Sequence, residues 1–163
     1  MTDFEALLRR LVDSGVDFIL VGGYAATAHG SPRVTVDLDV AYARDPANLA
    51  RLAGALADLD PYLRGAPPGL PFRLDAEALR RGLNFTLTTR LGDLDLLGEV
   101  TGAGSYAALL ARSIEIEPFG LKVRCLDLET LIATKRAAGR PKDLEAIAEL
   151  EALRDERGGS GRS

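Results

Sequence analysis

One stretch, RVTVDLDVAYA at residues 33–43, constrains the fold more than any other part of the chain. Apolar and polar side chains alternate along it, and successive side chains of a β-strand point to opposite faces of the sheet. The alternation therefore predicts a strand with one apolar and one polar face. The apolar face carries Val34, Val36, Leu38 and Val40, and the polar face carries Thr35, Asp37 and Asp39. Asp37 and Asp39 thus share a face, with side chains roughly 7 Å apart.

Two carboxylates held this close need either a compensating cation or free access to water. Ionised carboxylates repel each other, and removing them from water adds a desolvation cost. One interpretation is an exposed edge strand on which both aspartates simply face solvent. The other is a site for Mg²⁺ or Mn²⁺, because Mg²⁺ takes oxygen ligands and usually binds together with substrate phosphates.

A Gly-Gly pair upstream favours the metal interpretation. The segment VDFILV, residues 16–21, predicts a strand buried on both faces, and Gly22-Gly23 ends it before a short helix predicted at residues 24–30. Backbone N–H groups at such a turn, with the positive end of a helix dipole, suit a triphosphate. Phosphate-binding backbone groups beside a metal-binding carboxylate pair are the minimum that nucleotide transfer requires.

A second acidic strand, LGDLDLL at residues 91–97, supports the same hypothesis. Asp93 and Asp95 share one face of it. Asp95 lies deeper in the strand, and we expect it to complete a three-carboxylate site and to deprotonate an incoming hydroxyl. Asp93 stands beside Gly92, and we expect it to belong to the turn.

The remaining pattern predicts a mixed α/β sheet with helices at both ends of the chain. The predicted helices cover residues 4–13, 46–59, 75–82, 128–138 and 142–157, and the further strands cover residues 84–89, 92–97, 113–117 and 121–126. A loop rich in proline and glycine, residues 61–72, either covers a site or has no such role. The predicted class is therefore α/β (α+β), with one domain at residues 1–157 and a disordered tail at 158–163.

The net charge and the hydropathy of the chain argue against some classes of function. The net charge of −4 argues against a surface coated with phosphate-binding groups. The sequence does contain one local basic cluster, formed by Lys135, Arg136, Arg140 and Lys142. On charge alone, this cluster indicates a solvated helix end. No apolar run approaches the length of a membrane span, so we expect a cytoplasmic protein without a membrane partner. Cys125, the one cysteine, is expected in a buried strand.

Together these residues resemble the nucleotidyltransferase superfamily of DNA polymerase beta type. The signature of that superfamily is hG-[GS], a spacer, Asp-x-Asp, and a third acidic residue on a later strand. It is matched here by Val21-Gly22-Gly23, Asp37-Leu38-Asp39 and Asp95. Within the superfamily the chain most resembles small AbiEii-type proteins of type IV toxin–antitoxin systems. The motifs R-x-T-x-D-x-D and LI-x-x-K … KD carry that likeness, and they are matched by Arg33, Thr35, Leu131-Ile132, Lys135 and Lys142-Asp143.

The resemblance implies a fold and a reaction. The fold is a mixed β-sheet flanked by helices, and the reaction is metal-dependent transfer of a nucleoside monophosphate from an NTP to a hydroxyl, with release of pyrophosphate. Asp37 and Asp39 would hold Mg²⁺ or Mn²⁺, and Asp95 would join one metal ion and act as the base. Gly22 and Gly23 would seat the phosphates.

The resemblance also gives roles to residues late in the chain. Lys135 would neutralise triphosphate charge, and Asp143 would orient Lys135 or the substrate. From its position before the aspartates, Arg33 is expected either to stabilise charge on the transferring phosphate or to pair with an aspartate. His29 is expected to cap carbonyls at a helix end.

Three classes of function stay open at this point. The first is an NTP-dependent enzyme whose acceptor is an RNA, such as a tRNA-like end, or a protein hydroxyl; the low basic charge and short chain argue against a large RNA footprint. The second is a non-catalytic binding module that works by contact with a cognate toxin or antitoxin. The third is a small-molecule enzyme of the aminoglycoside nucleotidyltransferase kind, with which the pI near 5.1 is compatible.

Overall fold

A computed structural model describes residues 1–160 of the chain. Helices α1 to α7 span Phe4–Asp13, Gly22–Ala28, Pro46–Leu56, Ala76–Arg81, Tyr106–Leu110, Leu128–Ala138 and Pro141–Ser160. Strands β1 to β9 span Phe18–Val21, Asp37–Tyr42, Tyr62–Leu63, Asn84–Thr89, Gly92–Leu97, Glu99–Val100, Gly104–Ser105, Ser113–Ile116 and Val123–Leu126.

Seven of these strands form one mixed sheet in the order β3-β4-β5-β2-β1-β9-β8, and β6 pairs with β7 separately. In the large sheet β2 runs antiparallel to β1 and parallel to β5. The parallel register sets Asp37 beside Asp93 and Asp39 beside Asp95. Because residues in register on neighbouring strands point to the same face, the polar faces of β2 and β5 form one acidic surface.

The predicted fold class is confirmed: a mixed sheet is flanked by helices. All four residues of β1 are buried, as the continuous apolar run predicted. Aspartate N-caps begin four helices, each accepting a hydrogen bond from the backbone N–H three residues on; they are Asp3, Asp45, Asp75 and Asp127. The last of these sets the start of α6, and hence the phase of the basic side chains near its end.

Strand β2 is shorter than its sequence pattern predicts. It begins at Asp37, and residues 31–36 form no strand. Val34 and Val36 are accordingly 93% and 65% exposed, although alternation placed them in the core. The pairing explains the difference, because β1 reaches only as far as Val21, opposite Asp39, and gives residues 31–36 no partner.

The C-terminal helix α7 extends to Ser160, three residues beyond the predicted end of the folded region at 157. The rest of the predicted disordered tail, residues 161–163, lies outside the described residues. None of the helices in the described part of the chain has the length and apolar character needed to cross a membrane.

Candidate active site

Three carboxylates converge at one end of the sheet. Asp37, Asp39 and Asp95 each offer an oxygen, and these atoms lie within 4.8 Å of one another. The parallel register of β2 and β5 produces this arrangement, since it places Asp39 directly beside Asp95. The side chains predicted to form a three-carboxylate site are therefore together.

The Gly-Gly pair packs directly against this cluster. Gly22 has φ +66°, and a Cβ there would lie 2.0 Å from Oδ2 of Asp39. A Cβ on Gly23 would lie 2.8 Å from Oγ1 of Thr35, and the backbone N–H of Gly23 donates a hydrogen bond to the Asp39 carboxylate. Only glycine fits at Gly22, where both the backbone conformation and the close approach exclude a side chain.

Burial, and after it the charges of neighbouring carboxylates, raise the pKa of two members of the cluster, Asp39 and Asp37. Burial is the largest cause that raises the pKa of Asp39 to about 7, followed by the charge of Asp95 and a hydrogen bond with it. Burial likewise raises the pKa of Asp37, against the opposing effect of Arg64. A bound cation would offset the desolvation and the repulsion that raise the pKa values of Asp37 and Asp39.

The donor set fits a hard divalent cation. Three carboxylate oxygens within bridging distance are the ligands that Mg²⁺ and Mn²⁺ prefer, and the cluster contains no nitrogen or sulfur ligand to favour zinc or copper. Asp37, Asp39 and Asp95 would hold such an ion, as the sequence predicted.

Arg64 is the residue at this site that the sequence did not indicate. It follows β3, and its guanidinium donates a 2.8 Å hydrogen bond from Nη2 to Oδ1 of Asp95. Its Nη1 lies 3.6 Å from Oδ2 of Asp37, and its Nε lies 3.5 Å from Oδ2 of Asp93. A single arginine in an irregular loop carries no periodic signal, so only the tertiary structure reveals it.

Asp93 is a strand residue, and its expected place in the turn is wrong. It lies on β5 in register with Asp37, and its side chain is 34% exposed. The backbone N–H of Asp93 donates to Oγ1 of Thr2, whose hydroxyl also donates to the carbonyl of Val36. The hydroxyl of Thr2 therefore bridges the start of β5 to the residue that precedes β2.

A cleft of about 540 Å³ opens beside the carboxylates. Asp37, Asp39 and Asp95 line one side of it. The cleft is also lined by residues from the end of α6 to the start of α7, and the charged ones are Lys135, Arg140, Lys142 and Asp143. We call the first set the acidic wall and the second the basic wall. Clefts of this size hold small ligands such as nucleotides.

Asp143 organises the basic wall. Its side chain is 3% exposed and accepts hydrogen bonds from the backbone N–H and the guanidinium of Arg140. Lys135 Nζ lies 3.6 Å from Oδ1 of the same carboxylate. The hydrogen bond from Arg140 is the main cause that lowers the pKa of Asp143. Asp143 therefore orients both cations, including the predicted Lys135.

Lys142 differs from its neighbours on the basic wall. Within residues 1–160 it makes no hydrogen bond or ion pair, and its charge lowers the proton affinity of Asp37 across the cleft. The sequence signal was the cluster of basic residues after residue 134, which on charge alone indicated a solvated helix end. Its position in the cleft makes Lys142 a further candidate for contact with a phosphate.

Comparison with known proteins identifies the fold. No protein-family model matches the chain, and no curated protein matches it in sequence. Solved structures do match. A lincomycin-bound lincosamide antibiotic adenylyltransferase, LnuA, aligns with a TM-score of 0.61 at 15% identity, covering 93% of this chain and 98% of that one. The antibiotic-resistance factor ANT(2'')-Ia aligns with a TM-score of 0.56 at 16% identity, covering 96% and 90%.

A third match is a protein from Thermotoga maritima proposed to be a nucleotidyltransferase. It has a TM-score of 0.51 and 14% identity, with 96% of this chain and 91% of that chain covered. The chain has the nucleotidyltransferase fold. The sequence signature that predicted this fold, Gly-Gly followed by Asp-x-Asp, lies at the carboxylate cluster.

Arg33 lies in the cleft of this nucleotidyltransferase fold, but its partners are not aspartates. Its Nε donates at 2.8 Å to Glu149, and its Nη2 lies 3.2 Å from Glu145, both on α7. The expected pairing of Arg33 with an aspartate is therefore wrong. Glutamates of a distant helix could not be matched to it by spacing in the sequence.

His29 lies at the C-terminal end of α2 and has a structural role. It is buried, its Nε2 lies 2.8 Å from the carbonyl of Leu126, and Arg157 donates to its Nδ1 and its carbonyl. Because Nδ1 accepts, Nε2 carries the proton and donates to Leu126. The ring thereby joins β9 to α7. The predicted capping role is also present, because His29 is the C-cap of α2 and its backbone N–H donates to the carbonyls of Ala25 and Ala26.

Proposed function

We propose that the chain is a metal-dependent nucleotidyltransferase that moves a nucleoside monophosphate from an NTP to a hydroxyl group. The observation that carries this proposal is the pairing of two walls across one cleft. Three converging carboxylates and a set of cations line the same cleft of about 540 Å³. A polyanion that arrives with divalent cations satisfies both walls at once.

The acidic wall would carry the chemistry. Asp37, Asp39 and Asp95 would hold Mg²⁺ or Mn²⁺, which when bound neutralises charge on phosphate oxygens. The acceptor oxygen would bond to the α-phosphorus, the bond from that phosphorus to the bridging oxygen would break, and pyrophosphate would leave. Asp95 would accept the proton of the hydroxyl as general base.

The basic wall and the Gly-Gly turn would bind the triphosphate. Lys142 is free to contact phosphate oxygens directly, whereas Lys135 and Arg140 would do so while still held by Asp143. The backbone of Gly23 borders the same cleft, which supports the predicted role of the Gly-Gly pair in seating phosphates. Arg33 would act there only after release from its glutamates.

The acceptor would be an RNA or a protein, as the AbiEii-type resemblance suggests, and the chain would then act within a toxin–antitoxin pair in the cytoplasm. A second candidate is a small molecule. Two of the solved structures with this fold are antibiotic-modifying or antibiotic-resistance proteins, and this fold covers 98% of the lincosamide adenylyltransferase chain. Because this chain and the lincosamide adenylyltransferase match over nearly their whole lengths, a small-molecule acceptor is the alternative.

A transfer assay tests the proposal. Each labelled NTP would be incubated with Mg²⁺ or Mn²⁺ and, separately, with total tRNA, lysate proteins, a lincosamide and an aminoglycoside. We expect one acceptor class to become labelled, with release of pyrophosphate and with no labelling by Asp39→Asn. Absence of pyrophosphate release with every NTP and acceptor, or equal labelling by Asp39→Asn, would contradict the proposal.

A further inference from the structure

Arg64 lies close to three carboxylates of the acidic surface. Its three guanidinium nitrogens are directed at three different aspartates, Asp37, Asp93 and Asp95, at 3.6, 3.5 and 2.8 Å. Two of those aspartates belong to the set that would hold a metal ion, and Asp93 does not. Arg64 therefore stands between the proposed metal ligands and a fourth carboxylate.

We propose that Arg64 is a built-in counter-cation that competes with the metal ion, and that Asp93 receives it when the ion binds. The inference rests on the proposed function for the presence of a metal ion, but it concerns residues to which that function assigns no role. Arg64 is a positioning residue in this proposal, and Asp93 acts through Arg64.

The first argument is competition for the same lone pairs. Arg64 uses Oδ1 of Asp95 in a short charge-assisted hydrogen bond and approaches Oδ2 of Asp37. A divalent cation at these carboxylates would lie within a few ångströms of the guanidinium, at partly buried positions where like charges repel strongly. Binding of the ion and the present position of Arg64 are therefore mutually unfavourable.

The second argument is that Arg64 has an unused donor aimed at Asp93. Its Nε is buried and has no hydrogen-bond partner among the described residues, yet it lies only 3.5 Å from Oδ2 of Asp93. A buried donor without a partner is costly, and a small shift would satisfy it. A move away from Asp95 and towards Asp93 would therefore gain one hydrogen bond as it loses another.

The third argument is that Arg64 has an anchor that limits its movement. Its Nη2 also donates at 2.6 Å to the carbonyl of Leu87 on β4, and the backbone N–H of Arg64 donates to the carbonyl of Thr86. These contacts hold the residue at the sheet while its side chain exchanges partners. The arrangement favours a local switch between carboxylates rather than departure into solvent.

Binding of Mn²⁺ without nucleotide tests the proposal directly. We would measure Mn²⁺ affinity by electron paramagnetic resonance and calorimetry for the wild type, Arg64→Gln and Asp93→Asn. Arg64→Gln removes the competitor and should tighten Mn²⁺ binding by about tenfold. Asp93→Asn removes the alternative partner and should weaken it by about threefold.

The double variant separates a role through Arg64 from a direct effect of the Asp93 charge. In the Arg64→Gln background, Asp93→Asn should change Mn²⁺ affinity by much less than in the wild type, because the residue that Asp93 receives is gone. Arg73→Gln is the matched control for loss of one positive charge, since Arg73 lies in the same loop with its side chain 89% exposed. It should leave Mn²⁺ affinity unchanged.

The opposite result identifies a different role. If Arg64→Gln binds Mn²⁺ more weakly than the wild type or equally well, or if neither protein binds it, Arg64 is not a competitor and the proposal is overturned. Should Arg64→Gln fail to fold, Arg64→Lys decides in its place, because the shorter single-centre cation cannot span three carboxylates and should tighten binding by about threefold. These measurements use no NTP, so a failure of nucleotidyl transfer leaves their result standing.

Discussion

The two walls of the cleft handle charge in opposite ways. The acidic wall concentrates carboxylates on two adjacent strands, and burial, followed by repulsion from Asp95, raises the pKa of Asp39 to about 7. The basic wall contains its own buried acid, Asp143, which pairs with Lys135 and Arg140. The acidic wall therefore keeps an excess of negative charge, with Arg64 as its one paired cation among the described residues, whereas two of the three cations of the basic wall are held by an internal carboxylate.

This difference implies a division of roles. A site that is unsatisfied without a cation is suited to bind metal ions and to carry chemistry. In the basic wall, Asp143 fixes the orientation of Lys135 and Arg140, and Lys142 has no ion pair within residues 1–160. Substitutions in the acidic wall should therefore affect the chemical step, and substitutions in the basic wall should affect binding and stability.

The largest effect is expected for nucleotidyl transfer by Asp39→Asn. The amide keeps the shape of the carboxyl but loses a ligand charge, so turnover should fall by roughly 1,000-fold, or about 4 kcal/mol. Pyrophosphate release under saturating NTP and metal measures it. A loss of only a few fold would remove the acidic wall from the chemistry and with it the contrast between the two walls.

The next effect concerns the turn that supports the acidic wall. Gly22→Ala would place Cβ 2.0 Å from Asp39 in a left-handed conformation, and we expect a loss of about 3–4 kcal/mol in the free energy of unfolding. Gly65→Ala is the control, because Gly65 also has positive φ but nothing lies within 4 Å of its added Cβ. It should cost only about 1 kcal/mol in the same urea titration.

The proton affinity of the acidic wall predicts a pH-dependent stability difference. The folded-state pKa of Asp39, about 7, lies above its ordinary value, so its contribution to stability is fully present below about pH 4 and is lost as the pH rises through 7. With EDTA present, Asp39→Asn should match the wild type near pH 4 and exceed it by about 3 kcal/mol at pH 8. Thermal unfolding across this range measures the difference. A constant offset between the two proteins would show that the folded state does not raise the pKa of Asp39.

The basic wall should show the reverse behaviour. Asp143→Asn leaves Arg140 and Lys135 without their shared counter-charge, and we expect a loss of about 2 kcal/mol at neutral pH. The pKa of Asp143 is lowered, so this loss should be full above the ordinary carboxyl pKa and should vanish as the pH falls through the lower folded-state value. An equally large loss at low pH would instead indicate damaged packing.

Strand periodicity explains why the grouping of the three carboxylates could be predicted from the sequence. Because the repeat is two residues, Asp37 and Asp39 had to share a face, and Asp95 shared the corresponding face of its own strand. The same argument failed for Val34 and Val36, because alternation cannot show where a strand loses its partners. Pairing, rather than side-chain pattern, sets the start of β2.

The ion-pair partners of Arg64 and Arg33 could not be predicted, because they are distant in sequence. Arg64 reaches aspartates on two other strands, and Arg33 pairs with glutamates on α7 more than a hundred positions later. Neither contact has a fixed spacing. Lys142 belonged to a recognised motif, but only its lack of an ion pair distinguishes it from Lys135.

The smallest effect tests which lysine meets the triphosphate. Lys142 lines the cleft without an ion pair, whereas Lys135 is held by Asp143, so removal of Lys142 should cost more binding energy than the sequence motif suggests. We expect Lys142→Ala to weaken NTP binding by about tenfold, or about 1.4 kcal/mol, with Mg²⁺ present. Its stability should be unchanged, because no internal contact is lost.

Calorimetric titration of NTP measures this effect, and Lys122→Ala is the matched control. Lys122 is an exposed lysine outside the residues that line the cleft, so its removal changes the net charge equally but should leave NTP affinity at the wild-type value. If Lys135→Ala weakens NTP binding more than Lys142→Ala does, the pairing with Asp143 does not withhold Lys135 from the ligand. In that case the lysine of the basic wall that contacts the triphosphate is Lys135, the one paired with Asp143.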